Sequence, residues 1–323
     1  MSVEKNRNLF FVLAGLVSSG ADAYDHSDTE VSALAERIVN VDISENIRIW
    51  FSRARTGQVE VNPYWPRGCA LSTACFFIEE GFFDIDKFFS FFESTAIADP
   101  IGMHDLRSWI FELPQALLYM ETQSDIQSLW DEYNRIVNKR IIKWISVIDE
   151  AKNTARRFYG DNAPEMSFSP NLFAAYSTDF VRIGNKIITI AAEPDVESML
   201  HETLHTVVAA YRDKIMTFSE QNSLKGFATR DKMMELGYMD DGSASSIIHA
   251  IEECFVRAIS VVLASKSDER LYAHASYGFV GVPFIASHFK KICPTVNKFG
   301  AFIDTVFSDM TNDHWVSGKW DRI

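Results

Sequence analysis

Between Asp125 and Tyr159 the chain carries Ile126, Leu129, Trp130, Tyr133, Ile136, Val137, Ile141, Trp144, Ile145 and Ile148, spaced for the most part by three or four residues. Side chains so spaced line one face of an α-helix, so a single long amphipathic helix is expected. Ser124 followed by Gln127 suits a capping box at its start, and Gly160 suits a stop at its end. Further helices are expected around residues 4–18, 43–56, 69–80, 84–95 and 103–120, the last broken near Pro114, whose ring and missing N–H interrupt helical bonding. Residues 1–160 therefore read as a helical lobe.

The pattern changes after Gly160. Asp161-Asn162-Ala163-Pro164 and Ser167-Phe168-Ser169-Pro170 are rich in turn formers and break helix. Two β-branched runs, Phe180-Val181-Arg182-Ile183 and Lys186-Ile187-Ile188-Thr189-Ile190, flank Gly184-Asn185, the signature of a two-residue β-hairpin. Helices are expected again at about 195–214, 245–265 and 295–310. The chain thus reads as mainly α (α+β): a helical lobe, 1–160, packed on a second lobe, 161–323, that carries a small antiparallel sheet. No repeat or low-complexity linker separates the two.

Composition narrows the function classes. Hydrophobic residues make up 47% and charged residues 23%, ordinary for a folded domain rather than a disordered chain. Many of the 25 phenylalanines fall in pairs, as at Phe82-Phe83, Phe88-Phe89 and Phe91-Phe92, which reads as aromatic packing between helices. The formal net charge of −13 has no Lys/Arg-rich stripe to offset it, which argues against a nucleic-acid partner. Cys69, Cys75, Cys254 and Cys293 show no CxxC spacing and read as reduced, buried thiols of a cytoplasmic protein. Lys5 and Arg7 precede an apolar run from Leu9 to Leu16, and Ala21-Asp22-Ala23 resembles a cleavage site, so secretion is the alternative if residues 1–23 are a signal peptide. That run is short and interrupted by Gly15, which favours an uncleaved first helix. No stretch reaches the roughly 18 apolar residues of a membrane span.

The chemistry concentrates at His201-Glu202-Thr203-Leu204-His205, an HExxH motif. Pro194 and Asp195 mark a helix start, and Met199, Leu200, Leu204, Val207 and Val208 give that helix an apolar face. Histidines at i and i+4 lie one turn apart on one face, so both imidazoles reach one ion at about 2.0–2.1 Å. Zinc suits this nitrogen pair, and Glu202 beside the first ligand is placed to take a proton from a water that the metal activates. The bland alternative is a helix whose histidines satisfy local hydrogen bonds.

A third ligand is required. A third histidine at the HExxHxxGxxH spacing is excluded, because Val208 and Tyr211 occupy the diagnostic positions. A carboxylate from a later helix is the other common solution, and Glu252 and Glu253 are both available. The apolar stripe Ile248, Ile251, Phe255, Ile259 and Val262 leaves Glu252 near its edge and Glu253 well away from it. Adjacent glutamates also suit a solvated face, so spacing leaves the choice open.

On the HExxH residues and on Glu253-Cys254-Phe255-Val256-Arg257, the chain resembles the gluzincins, zinc peptidases whose third ligand is a glutamate on a following helix. It is also similar to an uncharacterised bacterial group of predicted metalloproteases with a helical N-terminal lobe. The resemblance covers a small part of the chain. It implies a zincin-like second lobe, Zn2+ held by His201, His205 and Glu253, and Glu202 as the catalytic acid–base. Two departures stand out. The interval from His205 to Glu253 is long, so residues 215–244 form an inserted helix or loop. Arg257 stands where gluzincins often carry an acidic residue that orients a histidine, and it is positioned to pair with Glu253 instead.

Tyr272, His274 and Tyr277 cluster after the glutamate helix and are candidate donors to an oxyanion, with Tyr277 the chosen one. His249, one turn before Glu253, is a further possible ligand. His26, His104, His288 and His314 have no motif context. The expected activity is hydrolysis of a peptide or protein substrate laid along the hairpin edge at Phe180 to Ile190. The rival is a non-enzymatic protein-binding scaffold that retains a zinc site, and hydrolysis of another amide is a third possibility.

Overall fold

The computed structural model describes residues 2–55, 64–93, 103–173, 178–222, 244–292 and 295–312. The fold is mainly helical with a small antiparallel sheet, as expected. The chain divides into two compact units, Met1–Ile148 with Met166–Pro194, and Asp149–Glu165 with Asp195–Ile323. This division differs from the boundary after residue 160 that turn-forming residues suggested, because the strands join the N-terminal helices. Val3 bridges Phe168 in parallel fashion, Glu4 N–H donates to the Phe168 carbonyl at 2.8 Å, and the Tyr133 hydroxyl donates to the Pro170 carbonyl at 2.6 Å. Backbone pairing outweighed the change in composition.

The first unit holds helices α1 (Arg7–Ser18), α2 (Thr29–Val39), α3 (Glu45–Ser52), α4 (Arg67–Ala74), α5 (Ile85–Phe92), α6 (Met103–Ile110) and α7 (Leu113–Thr122), and most of α8 (Ser124–Tyr159). Pro114 sits in the first turn of α7, which explains why the expected helix over 103–120 is two helices. Helix α2 had no expectation. Its start is set by Asp28, whose carboxylate accepts from Val31 N–H while pairing with Arg140 of α8 at 2.5 Å. Strands β1 (Ile78–Glu79) and β2 (Phe82–Phe83) form a hairpin too short for any alternation to show. It lies where residues 69–80 suggested a continuing helix, and Glu80 and Gly81 both take positive φ in its turn. The paired phenylalanines pack as expected: the Phe88 ring lies 4.9–5.9 Å from those of Phe77, Phe83, Phe89 and Phe92.

The larger sheet has the order β3 (Glu165–Pro170), β5 (Lys186–Ala191), β4 (Asp179–Ile183). Strands β4 and β5 form the expected hairpin, with Val181 opposite Ile188 and Gly184 at φ +62° in the turn. This hairpin belongs to the first unit.

The second unit contains α9 (Val196–Ala209), α10 (Arg212–Asn222), α11 (Ala244–Leu263), α12 (Asp268–Ser276), α13 (Val282–Ile292) and α14 (Phe299–Asn312), with the last turns of α8. Helices α9 and α11 pack side by side, and the buried Phe255 of α11 meets Phe302 and Phe307 of α14 edge-on. The helix expected over 195–214 is divided at Ala210-Tyr211, and the interval 215–244 begins with the remainder of α10. Among the described residues no helix is long and apolar enough to cross a membrane. Cys69, Cys75 and Cys254 are buried thiols outside any disulfide, and burial pushes the Cys254 thiol up to about 12. Cys293 lies outside the described residues.

Gly15, read from sequence as an interruption of the first apolar run, has a packing reason. A Cβ built there would lie 2.2–2.5 Å from ring atoms of Phe51 on α3. Phe51 is fully buried, so its ring has no free space to retreat into. Gly15→Ala should therefore destabilise the protein by about 1–3 kcal/mol, although alanine is the better helix former by about 1 kcal/mol. Urea unfolding followed by circular dichroism reads this. Adding Phe51→Leu should recover part of the loss, and a stabilised single variant would show that α1 and α3 are not in this contact.

Candidate metal centre

Helix α9 starts at Asp195, whose side chain accepts from Ser198 N–H at 3.1 Å and pairs with Lys266 at 2.7 Å. Met199, Leu200, Leu204 and Val208 are buried along one face. On the adjacent face stand His201 and His205, with ring centroids 4.8 Å apart, as the i,i+4 spacing requires. Thr203 between them is tied down, its hydroxyl donating to the Leu200 carbonyl at 2.7 Å and lying 3.1 Å from the Tyr159 hydroxyl.

From α11, Glu253 faces both histidines. Its Oε1 lies 3.3 Å from His205 Nε2 and its Oε2 lies 3.7 Å from His201 Nε2. One potential ligand atom from each of the three residues falls within a 4.8 Å span. Three donors on one tetrahedral zinc with bonds of about 2.0–2.1 Å are separated by roughly 3.4 Å. The Glu253–His205 spacing already meets that figure, and the others need only small side-chain adjustments.

The protonation chemistry also fits a cation. Burial lowers His201 well below the ordinary histidine value, with His205, Arg257, His274 and Arg270 as further contributors. Burial likewise lowers His205, against the opposing pull of Glu253 and Glu252. Both rings are thus neutral near neutrality, each with a lone pair, beside a carboxylate that is 4% exposed. Two neutral imidazoles and one buried carboxylate form a borderline N,N,O donor set that suits zinc.

The two glutamates left open by spacing are separated by their partners. Glu252 is gripped on both oxygens by Arg212, at 2.8 Å each, with His249 Nδ1 3.5 Å away. Burial would raise its carboxyl, but the bonds from His249 and Arg212 hold it below the usual range. Glu252 is therefore engaged as an ion pair with Arg212, and His249 lies beside it. Glu253 is the glutamate that faces the histidines.

Arg257, one turn after Glu253, donates from Nε to Glu253 Oε2 at 2.9 Å, the pairing expected from its position. Its guanidinium lies 4.0 Å from the centre of the Phe279 ring, and its Nη1 is 3.3 Å from His274 Nδ1. His274 Nε2 in turn lies 3.0 Å from Glu197 Oε1, and Arg270 Nε donates to both Glu197 oxygens at 3.0–3.1 Å. Arginine offers only donors and an ionised carboxylate only acceptors, so His274 here is the neutral tautomer protonated on Nε2. Its lowered pKa, set first by burial, agrees. Burial would raise Glu197, but the bonds from His274 and Arg270 hold it down.

Glu202 is buried on α9, with Oε2 3.9 Å from His205 Nε2. Glu197 and its link to Arg257 had no expectation, although Glu197 stands four residues before His201 on the same helical face. His274, a candidate oxyanion donor, is buried and held inside this network. Tyr277 caps the end of α12 with its side chain half exposed, and its hydroxyl makes no hydrogen bond among the described residues. Tyr272 is likewise half exposed. Comparison of the chain with protein-family models, with curated proteins and with solved structures finds no match.

Proposed function

We propose that this protein is a zinc-dependent hydrolase, a metallopeptidase that cleaves peptide bonds. The observation that carries the reading is the convergence of His201, His205 and Glu253 on one point, with Glu202 buried beside them on the same helix. His201 and His205 would hold the metal from α9 and Glu253 from α11. Zinc held there would acidify a bound water toward pKa about 7 and polarise the scissile carbonyl.

The chain's own residues carry the proton traffic. Glu202 accepts a proton from the attacking water on its carboxylate and returns it to the leaving amine nitrogen. Arg257 holds Glu253 Oε2, so that Oε1, the oxygen nearer His205, is the one free to ligate. Glu197 and His274 fix Arg257 from the other side, the supporting layer that metal ligands characteristically require.

Purified protein should retain one zinc per chain, measured by elemental analysis, and His201→Ala, His205→Ala or Glu253→Gln should each release it. Glu202→Gln should keep the metal and lower peptide turnover by about 100- to 10,000-fold. Undiminished turnover by that variant defeats the assigned role. Full zinc occupancy with no hydrolysis of any peptide library would instead favour a zinc-stabilised binding protein.

Arg257→Met should weaken zinc affinity by about 10- to 100-fold in a chelator competition, with the fold retained by circular dichroism. An unchanged affinity would mean that Arg257 balances buried charge without orienting the ligand.

A further inference from the structure

Apart from the candidate metal centre, one cavity of the first unit combines apolar walls with a buried carboxylate. Leu16, Val17, Tyr64 and Phe173 line it, and Asp179 and Asn171 stand in its wall. The cavity volume is about 40 Å³, more than a single water needs.

The polar groups are unusual for a core. Asp179 is 2% exposed and Asn171 is 2% exposed. Among the described residues neither Asp179 Oδ1 nor Asn171 Oδ1 has a hydrogen-bond partner, although both are buried. A hydrogen bond with Cys69 steadies Asp179, yet burial still raises its carboxyl to about 6. At mildly alkaline pH the side chain is therefore ionised, and among the described residues that line the cavity none is Lys, Arg or His. Buried carboxylates are ordinarily paired, and an unpaired one calls for a cation with N–H donors.

The walls decide which cation. A hard metal ion needs about six oxygen ligands, whereas two acceptors and a largely apolar lining supply far fewer. An alkylammonium matches both halves: its N–H groups satisfy the two acceptors, its chain fills the apolar part, and the aromatic faces of Tyr64 and Trp65 in the lining favour positive charge. We propose that this cavity is a binding site for a small primary amine in its ammonium form, seated on Asp179 Oδ1 and Asn171 Oδ1 with its alkyl chain against Leu16, Val17 and Tyr64. The site is independent of the metal centre and of the hydrolase reading.

The test uses the full chain at mildly alkaline pH, with methylammonium and n-butylammonium as probes and n-butanol as the neutral analogue, read by calorimetry and by saturation-transfer NMR. The expected result is saturable one-site binding of n-butylammonium, with n-butanol much weaker. Asp179→Asn should weaken the amine by about thirtyfold or more, the usual effect of removing one partner of a buried charge pair. Gly68→Ala gives a second arm. Its added methyl would touch Tyr64 and Leu16 at 3.6 and 3.8 Å without a clash, narrowing the cavity while leaving Asp179 in place. It should weaken n-butylammonium more than methylammonium, and it decides the matter if Asp179→Asn fails to fold. The proposal is overturned if neither amine binds saturably, if n-butanol binds as tightly, if both variants bind like the parent, or if excess potassium chloride displaces the probe as an inorganic cation at the same site would require.

Discussion

The second unit depends on the register between two helices. Helix α9 presents His201 and His205 one turn apart, and α11 must place a carboxylate opposite them to within a few tenths of an ångström. Successive residues on a helix are turned by about 100°, so neighbouring glutamates cannot face the same target. Glu253 points at the histidines, 3.3 Å from His205, and Glu252 turns to Arg212. A slip of one residue in α11 would exchange a potential ligand for an ion-pair partner.

Burial makes this register consequential. Three carboxylates in this unit, Glu197, Glu252 and Glu253, are 4–5% exposed, and each has its own arginine, Arg270, Arg212 and Arg257. Desolvated charges demand such partners, and losing one partner strands the other. Burial keeps the two histidines neutral, with the positive charge of Arg257 as a further contributor. His274 links two of the pairs by accepting on one nitrogen and donating from the other, so Glu197 at the start of α9 is coupled to Glu253 on α11 through a continuous chain of hydrogen bonds.

The first unit solves a different problem. Its core is built from aromatic rings and from a helix, α1, whose residues Leu9 through Ser18 are all buried. Close packing there is tight enough that a glycine hydrogen is all the space Phe51 leaves at position 15. Against that background Asp179 is conspicuous. Among the described residues no arginine pairs with it, in contrast to Glu197, Glu252 and Glu253 of the second unit.

Much of this was legible from the amino-acid order. Long-period apolar spacing predicted α8 nearly to the residue, Gly184-Asn185 between β-branched runs predicted the β4–β5 hairpin, and the HExxH spacing placed His201, Glu202 and His205 on one helix, because each of these signals is local. Short elements such as β1 and β2 were illegible, since two residues cannot display a period, and the pairing of Val3 and Glu4 with Phe168 was illegible because strand pairing is nonlocal. Sequence therefore determined which side chains could ligate, and resemblance singled out Glu253 from its neighbour. Only the tertiary structure decided the pairings: that Arg212 claims Glu252, that Arg257 reaches both Glu253 and His274, and that Asp179 lies buried with no Lys, Arg or His among the described residues lining its cavity. Those outcomes depend on which helix faces come together, a property of packing between distant segments that no spacing along the chain encodes.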